Sequence, residues 1–388
     1  MKRMMLMMAA VVIIAAPALA FHDAGVAHCN GCHTMHNSQS GEAMNYNAAG
    51  DGPGTAPGTG YASLLLYENK SDICLTCHGT TRSNGDIRSY QVMSPDGSMA
   101  ALNSAGDFIA LKLPNLNDGH GPDIPGDQAG HNIQSFIRNT TWDTTMLIAG
   151  APGGSLNNNQ LACTSCHDPH GNGWENPATG YEGFRLTYRN GQAAKVGTQV
   201  VNYTADMVAF PMSMSADPAN NNHNVYVDGY GAWCATCHGD FLHSGGAGGG
   251  IHPSDTLLIN IATVYNAYNG TTDCVTNPPV GLVPCGTGSA QTSYLWQVPI
   301  EDPDFTVANI TSTDGPDDVN SVVTCVSCHF AHASSGPDSG KWDFNATLLM
   351  EDGHNTGPEY ALPNPYDDAQ RSLCNKCHSK DEYDDLTP

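Results

Sequence analysis

The chain has 388 residues and a formal net charge of −24, from 14 basic and 38 acidic side chains. So acidic a surface argues against binding to nucleic acid or to anionic lipid. Only 13% of the residues are charged, whereas there are 42 glycines and 24 prolines, so the composition favours little regular secondary structure and a thin apolar core. Since apolar residues are nevertheless spread along the chain, some other buried apolar mass is expected.

Residues 1–20 have the pattern of a secretory signal peptide. A basic start, MKR, precedes the apolar run MMLMMAAVVIIAA, and small residues occupy positions Ala18 and Ala20. The run is too short for a stable membrane-spanning helix, and no later run approaches that length. We therefore expect an exported protein that does not span the membrane, with a single domain over residues 21–388.

Twelve of the 14 cysteines lie in six copies of the pattern C-x-x-C-H. The copies are CNGCH at 29–33, CLTCH at 74–78, CTSCH at 163–167, CATCH at 234–238, CVSCH at 325–329 and CNKCH at 374–378. This pattern is the attachment signature of c-type haem, in which two thiols bond the vinyl groups on one haem edge and the following imidazole binds the iron. Zinc sites and redox-active cysteine pairs are the alternatives, but neither requires the histidine that follows every pair. The sequence therefore predicts six haem c groups.

We number the six motifs in chain order as sites 1 to 6. In each site the two cysteines and the histidine have separate predicted roles. The predicted covalent attachment residues are Cys29, Cys32, Cys74, Cys77, Cys163, Cys166, Cys234, Cys237, Cys325, Cys328, Cys374 and Cys377. The predicted proximal iron ligands are His33, His78, His167, His238, His329 and His378.

Histidines outside the motifs are candidates for the second axial position of each iron. They are His22, His28, His36, His120, His131, His170, His223, His243, His252, His332 and His354. Because these eleven histidines exceed the six positions, they favour two histidines at every iron, with methionine as the rival ligand.

Three of these histidines extend a haem motif to the pattern CHxxH: His36, His170 and His332. A residue three positions after the proximal histidine leaves on the same side of the haem, so it cannot easily reach the other face. We therefore expect each of the three to bind a second haem packed nearby. The alternative is a hydrogen bond to a propionate or contact with solvent.

The two remaining cysteines, Cys274 and Cys285, flank a Pro/Gly-rich turn in CVTNPPVGLVPC. In an oxidising compartment this spacing predicts a local disulfide. A loop this short is stabilised by roughly 2–3 kcal/mol. The expected role is to pin an exposed loop.

The gaps between motifs are 40, 84, 66, 86 and 44 residues long, which is no repeat period. We expect a mostly irregular coil with a few short helices at the attachment sites and minimal strand, the plausible strand being GTQVVNYT. The chain is then a single multihaem c-type cytochrome domain wrapped around a continuous line of haems. Burial of the apolar porphyrins takes the place of a conventional core.

Several stretches resemble a known family: FHDAGVAHCNGCHTMHNS at 21–38, CTSCHDPHG, CHGDFLH followed by HPSD, and CVSCHFAHAS. They are similar to the OmcS-type hexahaem c-type cytochromes of metal-reducing bacteria, which polymerise into extracellular filaments. The resemblance covers all six motifs and the amino-terminal segment, whereas the long loops are less similar and the Cys274/Cys285 pair has no counterpart.

The resemblance implies a mostly coil protein with six bis-histidine haems, whose subunits join head to tail in an unbroken haem line. It implies that the distal ligands are His36, His131, His170, His243, His252 and His332. It further implies that His36 ligates a haem of the neighbouring subunit.

The function predicted from these features is electron transfer through low-spin haems in an extracellular filament, toward acceptors such as metal oxides or other cytochromes. One alternative is a monomeric periplasmic electron carrier with the same haem chemistry. Another is a multihaem reductase of a small oxyanion, which needs an open iron position. The surplus of histidines and the absence of a C-x-x-C-K motif weigh against that enzyme.

Overall fold

The computed structural model describes residues 29–34, 36, 44–45, 64–79, 92–93, 104–112, 129–137, 140, 150–157, 160–170, 186–211, 224–242, 254–255, 257–258, 262–267, 294–304, 315–316, 320–346 and 373–378. Several predictions lie outside these residues. They concern the signal peptide at 1–20, the Cys274–Cys285 disulfide, and the histidines His22, His28, His120, His223, His243, His252 and His354.

Helices are short and gather at the haem motifs. The α-helices are α1 (Lys70–His78), α2 (Cys163–Cys166), α3 (Tyr230–Cys234), α4 (Ala262–Ala267) and α5 (Cys325–Cys328). In the part of the chain that the structure describes, five 3-10 helices accompany them: Cys29–Gly31, Phe108–Lys112, Gly239–Phe241, Pro337–Ser339 and Cys374–Lys376. Each C-x-x-C-H motif thus contains helical backbone, which places residues three apart on one face. The expectation of short helices at the attachment sites is confirmed.

The strands are also short and form two sheets in the described part of the chain. A hairpin pairs β1 (Ala193–Val196) with β2 (Gln199–Asn202) in antiparallel fashion. The second sheet has the order β3-β4-β5-β6, with β3 at Val208–Pro211, β4 at Asn224–Asp228, β5 at Ile300–Glu301 and β6 at Val322–Val323.

Within the second sheet, β4 and β5 run parallel while the other pairs are antiparallel. The strand expected at GTQVVNYT corresponds to β2. The other strands were not predicted, because segments of two to five residues carry too weak an alternation to stand out.

The buried apolar residues fall into four small clusters, each in contact with haem-motif cysteines. One packs around Leu75 and Phe108 against Cys163, and another packs around Val196 and Tyr203 against Cys237. The third contains Tyr226 and Val326 and touches Cys234, and the fourth contains Leu258 and Tyr265 and touches Cys328 and Cys374. The thin core and mostly irregular fold predicted from composition are confirmed. None of the described helices has the length and hydropathy needed to cross a membrane.

Candidate haem sites

Sites 3 and 5 are built on nearly the same helical turn. At α2 the backbone N–H of Ala162 donates to Ser165 Oγ at 3.0 Å, and at α5 the N–H of Thr324 donates to Ser327 Oγ at 3.1 Å. These serine side chains satisfy a backbone donor at the start of each turn. Each helix then ends at its proximal histidine, whose backbone is extended, with φ of −114° at both His167 and His329.

The extended backbone carries three proximal histidines into one-residue β-bridges. His33 bridges Leu65, His167 bridges Thr187 and His329 bridges Gly340, all antiparallel. A turn that fixes both cysteines is therefore followed by a paired residue that fixes the direction in which the imidazole leaves. The motif determines the turn, but the bridging partner comes from elsewhere in the chain.

Interactions between thiols of successive motifs show which sites are neighbours. A hydrogen bond with Cys163 raises the pKa of the Cys74 thiol, and the same contact lowers the pKa of Cys163. Cys234 and Cys325 are coupled in the same way, with the pKa of Cys234 raised and that of Cys325 lowered.

The other successive sites interact through charge as well as burial. Burial raises the pKa of Cys32, Cys166 and Cys328, and in each case a cysteine of the next site adds to the effect. The neighbouring pairs are Cys32 with Cys77, Cys74 with Cys163, Cys166 with Cys237, Cys234 with Cys325, and Cys328 with Cys377. Sites 1 to 6 therefore follow one another in space in chain order. The second cysteines of the two motifs are neighbours between sites 1 and 2, 3 and 4, and 5 and 6, and the first cysteines are neighbours between sites 2 and 3 and between sites 4 and 5.

Three proximal histidines face a histidine from outside their own motif. The ring centroids of His33 and His170 are 6.1 Å apart, those of His167 and His332 are 6.3 Å apart, and those of His131 and His238 are 5.9 Å apart. An imidazole nitrogen bonds a metal ion at about 2.0–2.1 Å, and a ring centroid lies about 1.1 Å behind that nitrogen. Two imidazoles on opposite sides of one metal ion thus have centroids roughly 6.3 Å apart. The observed separations leave room for one iron between each pair, so these residues fit a haem with two histidine ligands.

The orientation of several rings is fixed by backbone carbonyl groups. His131 Nδ1 lies 2.6 Å from Ala331 O, His238 Nδ1 lies 2.7 Å from Pro152 O, and His329 Nδ1 lies 3.0 Å from Asp338 O. When Nδ1–H donates to a carbonyl, Nε2 carries the lone pair that a metal needs. These contacts favour the metal-binding tautomer at sites 4 and 5.

The segment 331–334, which follows site 5, positions ligands for two other sites. The backbone N–H of His131 donates to the His332 carbonyl oxygen at 2.7 Å. Next to this bond, Gly130 and Ala333 form an antiparallel β-bridge. A Cβ at Gly130 would lie 2.4 Å from His332 O, so this approach requires glycine. His332 faces site 3 and His131 faces site 4, so one segment ties together three haem motifs.

Burial keeps several of these imidazoles neutral. It lowers the pKa of His332 to about 3 and that of His238 to about 4, with nearby histidines adding to both shifts. Neutral imidazole is the form that binds iron.

The predicted distal histidines have different outcomes. His170 and His332 each face the proximal histidine of a site other than their own, and His131 faces the proximal histidine of site 4. That these three histidines ligate iron stays a prediction. His36 is exposed. His243 and His252 lie outside the described residues. Among the described residues, no group of three or more histidine, cysteine or acidic side chains is arranged to hold a metal ion.

Two buried charges beside the sites were missed by sequence reasoning. Lys341 is 3% exposed, donates to Ser104 Oγ and Gln297 O at 2.9 Å each, and has its pKa lowered to about 7 by burial. Glu301 is 1% exposed, and burial raises the pKa of its carboxyl to about 7. No motif marks either residue, because their burial results from contacts between distant parts of the chain.

Comparison with known proteins gives a consistent result. No protein-family model matches the chain. The chain is 31% identical to the c-type cytochrome OmcS of Geobacter sulfurreducens (strain ATCC 51573 / DSM 12127 / PCA), over 96% of this chain and 97% of that relative. Among solved structures it resembles the outer membrane cytochrome S filament from Geobacter sulfurreducens, with a TM-score of 0.70 and 26% identity over 92% of this chain and 99% of the other. It also resembles the OmcS nanowires of the same organism seen by cryo-electron microscopy, with a TM-score of 0.68 and 26% identity over 92% and 98% of the two chains.

Proposed function

The chain belongs to the OmcS-type c-type cytochromes, which transfer electrons, and on this basis we propose that it binds six haem c groups and assembles into an extracellular electron-conducting filament. The observation that carries the proposal is the set of three imidazole pairs with centroids 5.9–6.3 Å apart. Each pair joins two haem motifs or a motif and a distant loop. The pairs connect site 1 with site 3 and site 3 with site 5, and they join site 4 to the segment 129–137.

The ligands follow from the motifs and the pairs. The twelve motif cysteines hold the haem edges, and the six motif histidines bind the irons from one side. His170 completes site 1, His332 completes site 3 and His131 completes site 4, while His36, His243 and His252 are assigned to the remaining irons. A haem with two imidazole ligands supplies an iron that takes up and releases one electron with both axial positions filled.

The order of the sites supports a conducting line within the subunit. The cysteines of successive motifs lie close enough to act on one another electrostatically from site 1 to site 6, which supports a route for the electron through successive sites. The protein's contribution is to hold the sites close together. No acid/base chemistry is required for this task.

The connection between subunits is assigned to His36. Its ring is exposed, and at site 5 the described aromatic neighbour of His329 is Phe344 at 5.2 Å. An exposed histidine can reach an adjacent copy of the chain, and we assign His36 as the second ligand of a haem iron in that copy. A head-to-tail contact of this type does not close on itself, and its repetition gives an open filament.

The test is a His36→Ala variant compared with a His170→Ala variant. Both substitutions remove the last histidine of a CHxxH pattern and leave every C-x-x-C-H motif intact. We expect both proteins to carry six haems by pyridine haemochrome assay. Electron micrographs of secreted His36→Ala should show no filaments, whereas His170→Ala, whose histidine faces His33 in the same chain, should still form them.

Two results would contradict the proposal. Normal filaments from the His36→Ala variant would remove His36 as the connection between subunits. A wild-type haem content other than six would remove the assignment of the motifs. The expected acceptors of the filament are extracellular metal oxides or other cytochromes, and reduction of a suspended iron oxide by wild-type filaments measures this step.

A further inference from the structure

Glu301 lies at the junction between sites 4 and 5. It is the last residue of β5, where it pairs with Tyr226 of β4 on one side and with Val322 of β6 on the other. Strand β4 leads into helix α3 and Cys234 of site 4, and strand β6 leads into Thr324 and Cys325 of site 5. The sheet therefore holds one carboxyl group between the two strands that feed neighbouring haem motifs.

The carboxyl group is buried with little compensation. Glu301 is 1% exposed, and its Oε1 has no hydrogen-bond partner among the described residues. Burial is the main reason why its pKa is raised to about 7, and the charge of Asp255 adds to the effect. The Thr324 hydroxyl and the Tyr230 N–H act in the opposite direction, although the Thr324 hydroxyl is not in hydrogen-bonding position.

The same carboxyl group acts electrostatically on both motifs. The Glu301 carboxylate lies close enough to both motifs for its charge to act on Cys234 and on Cys325. At each thiol its effect is smaller than that of their mutual hydrogen bond and of burial, and at Cys325 it opposes a net lowering of the pKa to which Ser254 also contributes. Charge at Glu301 and charge at either haem edge are therefore coupled. An electron added at site 4 or 5 disfavours a carboxylate here and favours the neutral acid.

The titratable groups around Glu301 come from each neighbouring element. They are Tyr226 and Asp228 of β4, Tyr230 and Cys234 of α3, Asp255 of the segment 254–255, Asp302 after β5, and Cys325 of α5. The charged side chains that act on Glu301 are the acids Asp255 and Asp228, which both disfavour its ionised form. Lys341 acts at the other cysteine of site 5, Cys328.

A purely structural role accounts for part of this arrangement. The Glu301 carboxyl lies at the first residue of α3, where an oxygen acceptor satisfies the Tyr230 N–H. A glutamine side chain has the same shape and the same acceptor, yet it cannot bind a proton. The difference between glutamate and glutamine at this position separates the two roles.

We propose that Glu301 takes up one proton when the haem at site 4 or site 5 is reduced, so that electron transfer through this junction is coupled to proton transfer. One electron from a neighbouring haem converts ferric iron to ferrous iron, and one proton from solvent forms an O–H bond on the Glu301 carboxylate. Reoxidation releases the same proton. The net charge of the junction is thereby kept constant, and the proposal depends on haems being bound at sites 4 and 5.

The experiment compares wild-type protein with Glu301→Gln by spectroelectrochemical titration at several pH values, with the electrode as the reductant. Coupling one proton to one electron changes the ratio of reduced to oxidised haem tenfold per pH unit, equivalent to about 59 mV for a one-electron step. The potential falls as pH rises, between the carboxyl pKa of the oxidised protein and that of the reduced protein. We expect this decline in one component of the wild-type curve and its loss in Glu301→Gln.

The matched control is Asp304→Asn, which removes an exposed acid close to Glu301 in the sequence and leaves Glu301 unchanged. It should retain the wild-type pH dependence. As a second measurement, the reduced-minus-oxidised infrared spectrum of the wild type should contain a protonated-carboxyl band that Glu301→Gln lacks and Glu301→Asp shifts. This spectrum of the wild type also tests the proposal if the glutamine variant fails to fold.

The results distinguish the two proposals. Six haems with the same pH dependence in wild type and Glu301→Gln, or a wild-type infrared spectrum without a carboxyl band, would overturn the coupling and leave the haem assignment intact. A haem content below six in the wild type would instead contradict the proposed function. A pH dependence that arises from haem propionates persists in the glutamine variant and counts against Glu301.

Discussion

Residues 163–170 and 325–332 carry the same pattern, CxSCHxxH, in two different environments. In both, a serine caps a four-residue helix, an extended proximal histidine follows, and the last histidine faces the proximal histidine of another site. The His170 side chain, however, is 75% exposed and lies 3.8 Å from Asp168. His332 is partly buried, its Nδ1 is shielded from solvent, and its ring stacks on Phe108 at 4.4 Å.

The difference arises from the two residues between the histidines. In the first segment they are Asp168 and Pro169, and in the second they are Phe330 and Ala331. Phe330 is 2% exposed, and backbone hydrogen bonds of the residues that follow it, beginning with Ala331 N to Ser104 O, hold its segment against residues 104–107. Asp168 instead turns its carboxylate back toward the His170 backbone N–H, at 3.1 Å. In both segments the last histidine of the shared pattern lies opposite the proximal histidine of another site, and the intervening residues determine how deeply that last histidine is buried.

The comparison predicts its largest effect for the distal histidines themselves, because their loss is expected to change the spin state of a haem as well as the stability. His332→Ala should leave the site 3 iron with one imidazole and also leave a cavity beside Phe108, with a loss of about 2–4 kcal/mol in the free energy of unfolding. His170→Ala should likewise leave the site 1 iron with one imidazole, but it should create no cavity because the His170 side chain is exposed. Both variants should show one high-spin haem by electron paramagnetic resonance, and only His332→Ala should unfold at clearly lower denaturant. Equal destabilisation would mean that the burial of His332 contributes nothing to folding.

The next effect concerns the aromatic support that only the second segment has. Phe108 is 4% exposed and stacks on His332 with an interplanar angle of 19°. Phe108→Ala should cost roughly 3–5 kcal/mol in unfolding free energy, because a buried ring is lost from a cluster that also contains Leu75. Phe136→Ala, at a phenylalanine that is 39% exposed, is the control and should cost much less. Chemical denaturation followed by haem absorbance measures both, and similar values would show that the stacking is unimportant.

These two segments also show what the sequence could predict. The spacing CHxxH predicts from local geometry that His170 and His332 serve haems other than their own, and each of them faces the proximal histidine of another site. Ligation of a second haem stays a prediction. The partners could not be inferred, since His33 and His170, or His167 and His332, are brought together across long stretches of intervening chain. The same limit applies to Glu301 and Lys341, whose burial depends on strand pairing and packing between distant segments that no local pattern encodes.

A smaller effect is expected where the two helices differ in their capping serine. Ser165 Oγ accepts one backbone hydrogen bond, from Ala162 N. Ser327 Oγ accepts from Thr324 N and also donates to Pro299 O in a buried position. Ser165→Ala should cost about 0.5–2 kcal/mol, as for loss of a helix cap, and Ser327→Ala about 1 kcal/mol more for the second bond.

Thermal unfolding of the two serine variants, with exposed Ser155→Ala as a control, measures the difference. The control should change stability by no more than about 0.5 kcal/mol. A larger loss in Ser165→Ala than in Ser327→Ala would reverse the expected order. The second bond would then be of no consequence for the turn at site 5.

The smallest effect is expected at Asp168, which has no acidic counterpart in the second segment. Asp168→Asn keeps an oxygen that accepts from the His170 N–H and removes only the charge near its imidazole. Because the His170 side chain is 75% exposed, the charge of the partly buried Asp168 contributes at most about 1 kcal/mol and is screened by salt. The reduction potential of the site 1 haem should therefore rise by less than about 59 mV, the shift that corresponds to a tenfold change in a one-electron equilibrium constant. The rise should vanish in about 1 M salt, where the screening length is about 3 Å. A larger, salt-independent shift would show that Asp168 orients the His170 ring when haem is bound. The residues between the two histidines would then act on the distal histidine through its orientation as well as through its burial.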